Sequence, residues 1–246
     1  MKDVVVAGGT GRTGRAIVQY LTYQPNVRVV AVISRKYAGL HMSSVINDLA
    51  YDIPIYKSCQ EALGHVRPAV LVDFTEPGIA KEHFQLSVEQ NINPILGTTG
   101  FTEDEIEHFK ILCVRYCCGA ALIPNFSLGA FLMLQAVRFG AAFFQDAAVI
   151  DMYPPHKTEV PSGTSKQILF ELKNYGTFSA KNLTSHSLRL AGVTAYQEVR
   201  FGGIGETVVI SHDVSDRSCF GVGVALAIQK INHFNQLVTD LADLLC

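Results

Sequence analysis

The chain has 246 residues, 48% hydrophobic and 17% charged, a globular composition long enough for one large domain or two small ones. Its formal net charge of -2 argues against a nucleic-acid binder that works by neutralising phosphates. No stretch approaches the roughly 20 apolar residues of a membrane span. The N-terminus, Met-Lys-Asp-Val-Val-Val-Ala, enters a strand without the form of a signal peptide, so a cytoplasmic protein with no membrane partner is expected.

Up to about Pro124, short apolar runs alternate with helical patterns, the βαβ rhythm of a parallel sheet. Strands are expected at Val4–Ala7, Val29–Ile33, Val70–Phe74, Pro94–Leu96 and Ala120–Ile123. Helices are expected at Gly14–Tyr23, Ile79–Gln90 and Thr102–Arg115. The last opens on Thr102-Glu103-Asp104-Glu105, a capping box whose Thr and Glu satisfy free amides of the first turn. Beyond Pro124 the rhythm changes to a long helix, Leu128–Phe144, and a strand ending near Met152. A Pro-rich loop, Tyr153 to Pro161, then leads to a helix starting at Ser162. Strand-like stretches at Ser187–Leu190, Tyr196–Phe201 and Thr207–His212 suit an open, partly antiparallel sheet. Helical patterns from about Ser218 pack back onto the first domain. The expected fold is α/β: a Rossmann-like parallel sheet domain (1–124 with 217–246) plus an α+β domain with a mixed open sheet (125–216).

Cys59, Cys113, Cys117, Cys118, Cys219 and Cys246 show no CxxC pair and no histidines at zinc spacing. They read as reduced thiols, and no metal site is expected.

Val4 to Arg15 forms a strand, a glycine turn and a helix start, with Gly8, Gly11 and Gly14 at GxxGxxG spacing. Glycine permits the tight turn and lets backbone amides reach a pyrophosphate, which the helix N-terminus favours. Gly8, Gly9, Thr10, Gly11, Arg12 and Thr13 are therefore the first cofactor-binding candidates; the competing reading is an ordinary strand-to-helix turn. At the end of the second strand, where a site for NAD presents an acid to the ribose, the chain has Ser34-Arg35-Lys36. A hydroxyl and two cations suit a 2′-phosphate through paired, charge-assisted bonds. NADPH is expected over NADH, with NADH still usable; the alternative is a solvated basic loop.

In the later half, Pro161-Ser162-Gly163-Thr164 offers an N-cap serine and exposed amides at a helix start, a site for a carboxylate. Lys157, just upstream, supplies a cation and a potential acid.

Four segments in order resemble the dihydrodipicolinate reductase family over nearly the whole chain. They are Asp73-Phe74-Thr75-Glu76-Pro77, Gly97-Thr98-Thr99-Gly100-Phe101, Ile123-Pro124-Asn125-Phe126-Ser127 and Lys157 to Thr164. A stretch from Gly205 through His212 to Phe220 also resembles the family's C-terminal signature. The first three fall at carboxyl ends of strands, where open α/β sheets bind ligands. The resemblance implies that Gly97, Thr98, Thr99, Ile123, Pro124, Asn125 and Phe126 hold the nicotinamide end, and it adds Arg217 to the cofactor set. It implies reduction of the dihydrodipicolinate ring, formed from 4-hydroxy-tetrahydrodipicolinate, to tetrahydrodipicolinate in diaminopimelate and lysine biosynthesis. Hydride would add to the β-carbon of the conjugated system. The α-carbon, next to a carboxylate, would then take a proton from Lys157 as general acid; the bland reading is a surface lysine paired with Glu159. Ser162, Gly163 and Thr164 would bind the dicarboxylate. The resemblance also implies a homotetramer through the second-domain sheet.

The chain departs from the family in that loop. Two consecutive histidines normally stand where this chain has Tyr153 and Pro154, and His156 is the loop's one imidazole. Tyr153 can donate a hydrogen bond to the ring nitrogen or carboxylate while Lys157 does the acid work. Alternatively His156 swings inward to bind substrate, or the enzyme is slow, has another substrate or has lost activity. Ala195-Tyr196-Gln197 likewise stands where the family tends to have Gly-x-His. Two competing functions are an NADPH-sensing binding protein and another two-domain dehydrogenase.

Overall fold

The structure, a computed structural model, describes residues 1–245; Cys246, counted above among the thiols, lies outside them. The chain divides into two compact units, residues 1–127 with the segment from Arg217 onward, and Leu128–Asp216. The first unit thus runs through Ser127, past the expected boundary at Pro124.

In chain order the first unit contains β1 (Lys2–Ala7), α1 (Arg12–Thr22), β2 (Val27–Ile33), β3 (Ile55–Tyr56), α2 (Cys59–His65), β4 (Val70–Asp73), α3 (Pro77–Glu89), β5 (Asn93–Leu96), α4 (Glu103–Tyr116) and β6 (Ala120–Leu122). The second contains α5 (Leu128–Ala141), β7 (Asp146–Tyr153), α6 (Gly163–Tyr175), β8 (Leu183–Arg189), β9 (Ala195–Gly203) and β10 (Glu206–Val214). The chain then returns to the first unit as α7 (Cys219–Lys230), β11 (Leu237–Val238) and α8 (Leu241–Leu245).

The first sheet is seven-stranded and parallel, in the order β11-β6-β5-β4-β1-β2-β3. Val4–Ala7 and Val70–Val72 are buried on both faces, which is why these strands read as continuous apolar runs rather than alternating ones. Chain order runs outward from β1 to β3 and then restarts at β4 on the other side of β1. That reversal is the switch point at which a doubly wound sheet opens a crevice. The capping box on α4 is present: Thr102 Oγ1 accepts from the Glu105 amide, and Glu105 accepts from the Thr102 amide at 3.0 Å.

The second sheet has four strands, β10-β9-β7-β8, with β7 and β8 parallel and the other pairs antiparallel. Val149 of β7 and Val199 and Phe201 of β9 pack against Met133 and Val137 of α5 and Ile168 and Leu172 of α6. Both helices lie on that face. Ala148, Ile150 and Met152 alternate to the other face, which no helix of this unit covers.

β8 begins at Leu183 rather than the expected Ser187, because Thr184, Ser185 and His186 are exposed and polar. They show no apolar alternation, and pairing with β7 from Ala147↔Leu183 to Tyr153↔Arg189 makes them a strand. The two-residue strands β3 and β11 are too short to display any period.

Candidate active site

In the first unit the loops after the strands extend the parallel ladder beyond each strand end. Ser34 N–H donates to Tyr56 O at 2.9 Å, Gly8 N–H to Ile33 O at 3.0 Å and Phe74 N–H to Ala7 O at 3.1 Å. Gly97 N–H donates to Asp73 O at 2.9 Å and Ile123 N–H to Leu96 O at 2.9 Å. Main-chain bonds thus bring the glycine turn and the segments after β2, β4, β5 and β6 to one carboxyl edge.

The glycine turn is built for close approach. Gly8 has φ +73°, a left-handed conformation, and a Cβ there would lie 2.7 Å from Phe74 O. A Cβ at Gly14 would run into the Gly8 carbonyl, so glycine is what lets α1 start against the turn. Gly11 is the N-cap of α1, which aims the positive end of the helix dipole at the turn. Thr10 Oγ1 shares a 2.7 Å hydrogen bond with Ser34 Oγ, tying turn to β2 end, while Arg15 Nε donates to Thr10 O at 2.8 Å.

A cleft of about 590 Å³ opens beside the turn, lined by Gly8, Gly11, Ser34, Arg35, Lys36 and Lys57 among others. Arg35 and Lys36 are exposed. Lys36 sits 5.1 Å from the Tyr37 ring centre and, ahead of Arg15, holds the Tyr37 hydroxyl below its ordinary pKa. Lys57 leaves β3 beside Ser34, because Ile33 and Tyr56 are register partners.

Behind this edge, Asp73 is fully buried and saturated. Its carboxylate accepts from Thr75 N–H at 2.7 Å, Thr75 Oγ1 at 2.6 Å and Thr98 Oγ1 at 3.2 Å. It also pairs with His83 Nδ1 at 2.6 Å. One carboxylate therefore joins the loops after β4 and β5 to α3. The Phe74 ring lies where a Cβ of Gly97 would be, and its centre is 5.9 Å from that of Phe126.

In the second unit, Tyr153 ends β7, and its hydroxyl accepts from Gln197 Nε2 at 2.6 Å. Lys157 Nζ lies 4.8 Å from the Tyr153 ring centre and 3.6 Å from Glu159 Oε2. Ser162 caps α6, accepting from the Ser165 amide at 3.2 Å. Asp151, 1% exposed, accepts from the Ser162 amide at 3.0 Å, Ser165 Oγ at 2.7 Å and Arg189 Nη1 at 3.0 Å. Burial works to raise the Asp151 carboxyl. The Ser162 amide, Ser165, Arg189 and Ser187 outweigh it and hold the group below the ordinary carboxylate range. The amides of Gly163 and Thr164, in the turn where a helix offers no acceptor of its own, complete the loop's polar groups.

Family models for the N-terminus and the C-terminus of dihydrodipicolinate reductase match residues 2–126 and 129–245. The chain belongs to the dihydrodipicolinate reductase family, whose members are NAD(P)H-dependent oxidoreductases. It is 35% identical to the 4-hydroxy-tetrahydrodipicolinate reductase of Geobacillus thermodenitrificans over 98% of each chain. It is also similar to the dipicolinate-bound dihydrodipicolinate reductase from Paenisporosarcina sp. TG-14, at 29% identity, a TM-score of 0.85 and 99% coverage of both chains. An amine dehydrogenase from Mycobacterium smegmatis shares the fold at a TM-score of 0.65 and 11% identity, covering 94% of this chain and 92% of its own. Of the two dehydrogenase readings of the sequence, the reductase family is the one that holds.

For this member of the reductase family, the structure sorts the expected site residues. Gly8, Gly9, Thr10, Gly11, Arg12 and Thr13 form the turn and first residues of α1, with Ser34 and Arg35 beside them. Thr98 is buried and bonded to Asp73, whereas Thr99 is exposed. The side chains of Ile123 and Phe126 are in the core, so only their main chain can meet a ligand. Asn125 Oδ1 caps the Ser127 amide at 3.0 Å, and Pro124 is exposed. Arg217 opens the return of the chain, and its main-chain carbonyl accepts from the Phe220 amide at 3.2 Å. Ser162 is fully buried, its amide committed to Asp151 and its hydroxyl to Ser165. Of the cradle Ser162-Gly163-Thr164, the last two therefore carry the open amides. His156 is exposed.

Sequence reasoning missed Lys57, His83, Asp151 and Arg189. A two-residue β3 hid Lys57. The other three lie inside elements, where their spacing does not differ from that of any polar residue. Its two departures, Tyr153 and Gln197, prove to be hydrogen-bonded to each other.

No helix of the described residues is long and apolar enough to cross a membrane. Burial pushes the Cys59 and Cys113 thiols up to about 12 and that of Cys118 to about 11, the mark of inert cysteines.

Proposed function

We propose that the chain reduces the dihydrodipicolinate ring to tetrahydrodipicolinate, prefers NADPH as hydride source and uses Lys157 as proton donor. The observation that carries this reading is the second-unit loop, where an ammonium over the Tyr153 ring shares one short segment with the helix-start amides of Gly163 and Thr164. Those groups recognise an anion and offer a proton.

The first unit fits a dinucleotide. A Cβ at Gly8 or Gly14 would fill the turn, so bare backbone stands at the start of α1 where a pyrophosphate would lie. When bound, the nicotinamide supplies the hydride. Arg35, Lys36 and Lys57, leaving two neighbouring strand ends, would hold a 2′-phosphate through charge-assisted bonds. Thr99 and the main chain of residues 123–126 would border the nicotinamide end, with Arg217 in the same set by family resemblance.

In the second unit, the Gly163 and Thr164 amides would bind one substrate carboxylate. With Gln197 donating to its oxygen, Tyr153 keeps its own hydroxyl proton for the ring nitrogen or the other carboxylate. Lys157 then delivers a proton to the α-carbon, adjacent to the ring carbon that carries the carboxylate, and regains one from solvent, to which its side chain is 33% exposed. The ring gains one hydride and one proton.

Self-association, as a tetramer in the family manner, would use the uncovered face of the second sheet. Ala148, Ile150, Met152 and Val209 lie there, and pairing would protect its edges. The cytoplasm is the compartment in which such a set of thiols stays reduced.

Steady-state oxidation of each cofactor with enzymatically generated 4-hydroxy-tetrahydrodipicolinate tests the reading. The expected result is a lower KM for NADPH than for NADH, with dipicolinate competing against the ring substrate. Equal or better use of NADH would overturn the preference. Tight NADPH binding without oxidation at high enzyme concentration would favour the sensor.

A further inference from the structure

Arg189, the last residue of β8, is only 19% exposed at its side chain, and its guanidinium donates to acceptors of the protein itself. Its Nε donates to Lys157 O at 2.7 Å and its Nη2 to Glu159 O at 2.6 Å. Its Nη1 donates to Asp151 Oδ1 at 3.0 Å and Leu188 O at 2.8 Å. The guanidinium carbon lies 5.7 Å from the Tyr153 ring centre. Register explains the reach: β7 and β8 pair in parallel with Arg189 opposite Tyr153, and the Leu190 amide donates to Tyr153 O at 2.9 Å.

One guanidinium therefore touches the start of the loop at Tyr153 and its middle at Lys157 and Glu159. Through Asp151 it reaches the end at Ser162. Among the described residues, the Lys157 side chain itself has only loose anchors, a 3.6 Å contact to Glu159 and the face of the Tyr153 ring. The place of its Nζ is consequently set by where the main chain at 157 is held.

We propose that Arg189 is a positioning residue: backed by Asp151, it grips the carbonyls of Lys157 and Glu159 and fixes the direction from which the Lys157 ammonium addresses the substrate. It rests on the reading of Lys157 as proton donor. Arginine is required because a rigid planar fork can serve three carbonyls and a carboxylate at once, whereas a lysine ammonium is a single flexible point. A misplacement of about 1 Å in a reacting group can cost on the order of 10²-fold in rate.

The test compares R189K, which keeps a charge beside Asp151, with K157A and the double variant. R189K is expected to lose about 10²-fold in kcat, with NADPH affinity and melting temperature near those of the wild type. Its solvent deuterium isotope effect on kcat is expected to rise as protonation becomes limiting. Added to K157A, R189K is expected to cost nothing more, because it acts only through Lys157. Wild-type kcat in R189K beside a slow K157A would overturn the positioning role alone. Losses that multiply in the double variant, or a kcat loss matched by a large fall in melting temperature, would do the same by assigning Arg189 a general structural part. Wild-type turnover in K157A would instead overturn the proton-donor reading and this inference with it.

Discussion

In the first unit each loop at the carboxyl edge hangs from the sheet by a main-chain bond, as Gly8 does from Ile33 and Gly97 from Asp73. In the second, the loop that carries Lys157 is held largely by two side chains, Asp151 and Arg189. A main-chain scaffold is indifferent to most side chains but intolerant of a Cβ at the wrong place. A side-chain scaffold leaves the loop free to change its outward groups while its anchors stay. Here Tyr153 and Pro154 stand where the family resemblance expects histidines, in a loop anchored by Asp151 and Arg189.

The main-chain scaffold of the first unit is most exposed to G14A. The new methyl meets the Gly8 carbonyl, and overpacking of this kind costs about 1–3 kcal/mol. Thermal unfolding should show the loss and NADPH titration a weaker complex; a variant as stable and as tight-binding as the wild type would mean that the turn is not close-packed. Next in size, Y153F removes a hydroxyl that would bind substrate, and Q197L removes its partner. Each is expected to raise the substrate KM about 10-fold, the size of one hydrogen bond near 1.4 kcal/mol, with little effect on NADPH affinity. Combining them should cost little more than either alone, since they share one bond; fully multiplied losses would show two independent roles. Smallest is K57A, expected to raise the KM for NADPH several-fold and to leave that for NADH unchanged, as a partly exposed charge pair contributes about 1 kcal/mol or less. Equal changes for both cofactors would place Lys57 away from the 2′-phosphate.

The first unit was the more legible. Its strands are buried on both faces and its glycines are spaced by a turn that excludes side chains, so composition and spacing alone reveal them. What escaped notice there was short: Ile55-Tyr56 pairs only through Val32 and Ile33, and without β3 nothing pointed to Lys57. In the second unit Lys157 and the Ser162 cap were legible because capping chemistry is local. Asp151 and Arg189 were not, because they meet across 38 residues of sequence and only the β7–β8 register brings them together. Ser162 also shows the limit of local reasoning: a good N-cap is, for that same reason, committed to its helix.

The most direct test of the account is turnover of K157A beside the wild type, followed as NADPH oxidation with enzymatically generated 4-hydroxy-tetrahydrodipicolinate, with NADPH affinity measured in parallel. The expected result is a loss of roughly 10²–10⁴-fold in kcat, the range for a positioned general acid, at unchanged NADPH affinity. Undiminished turnover would contradict the account, because it would remove Lys157 from the chemistry.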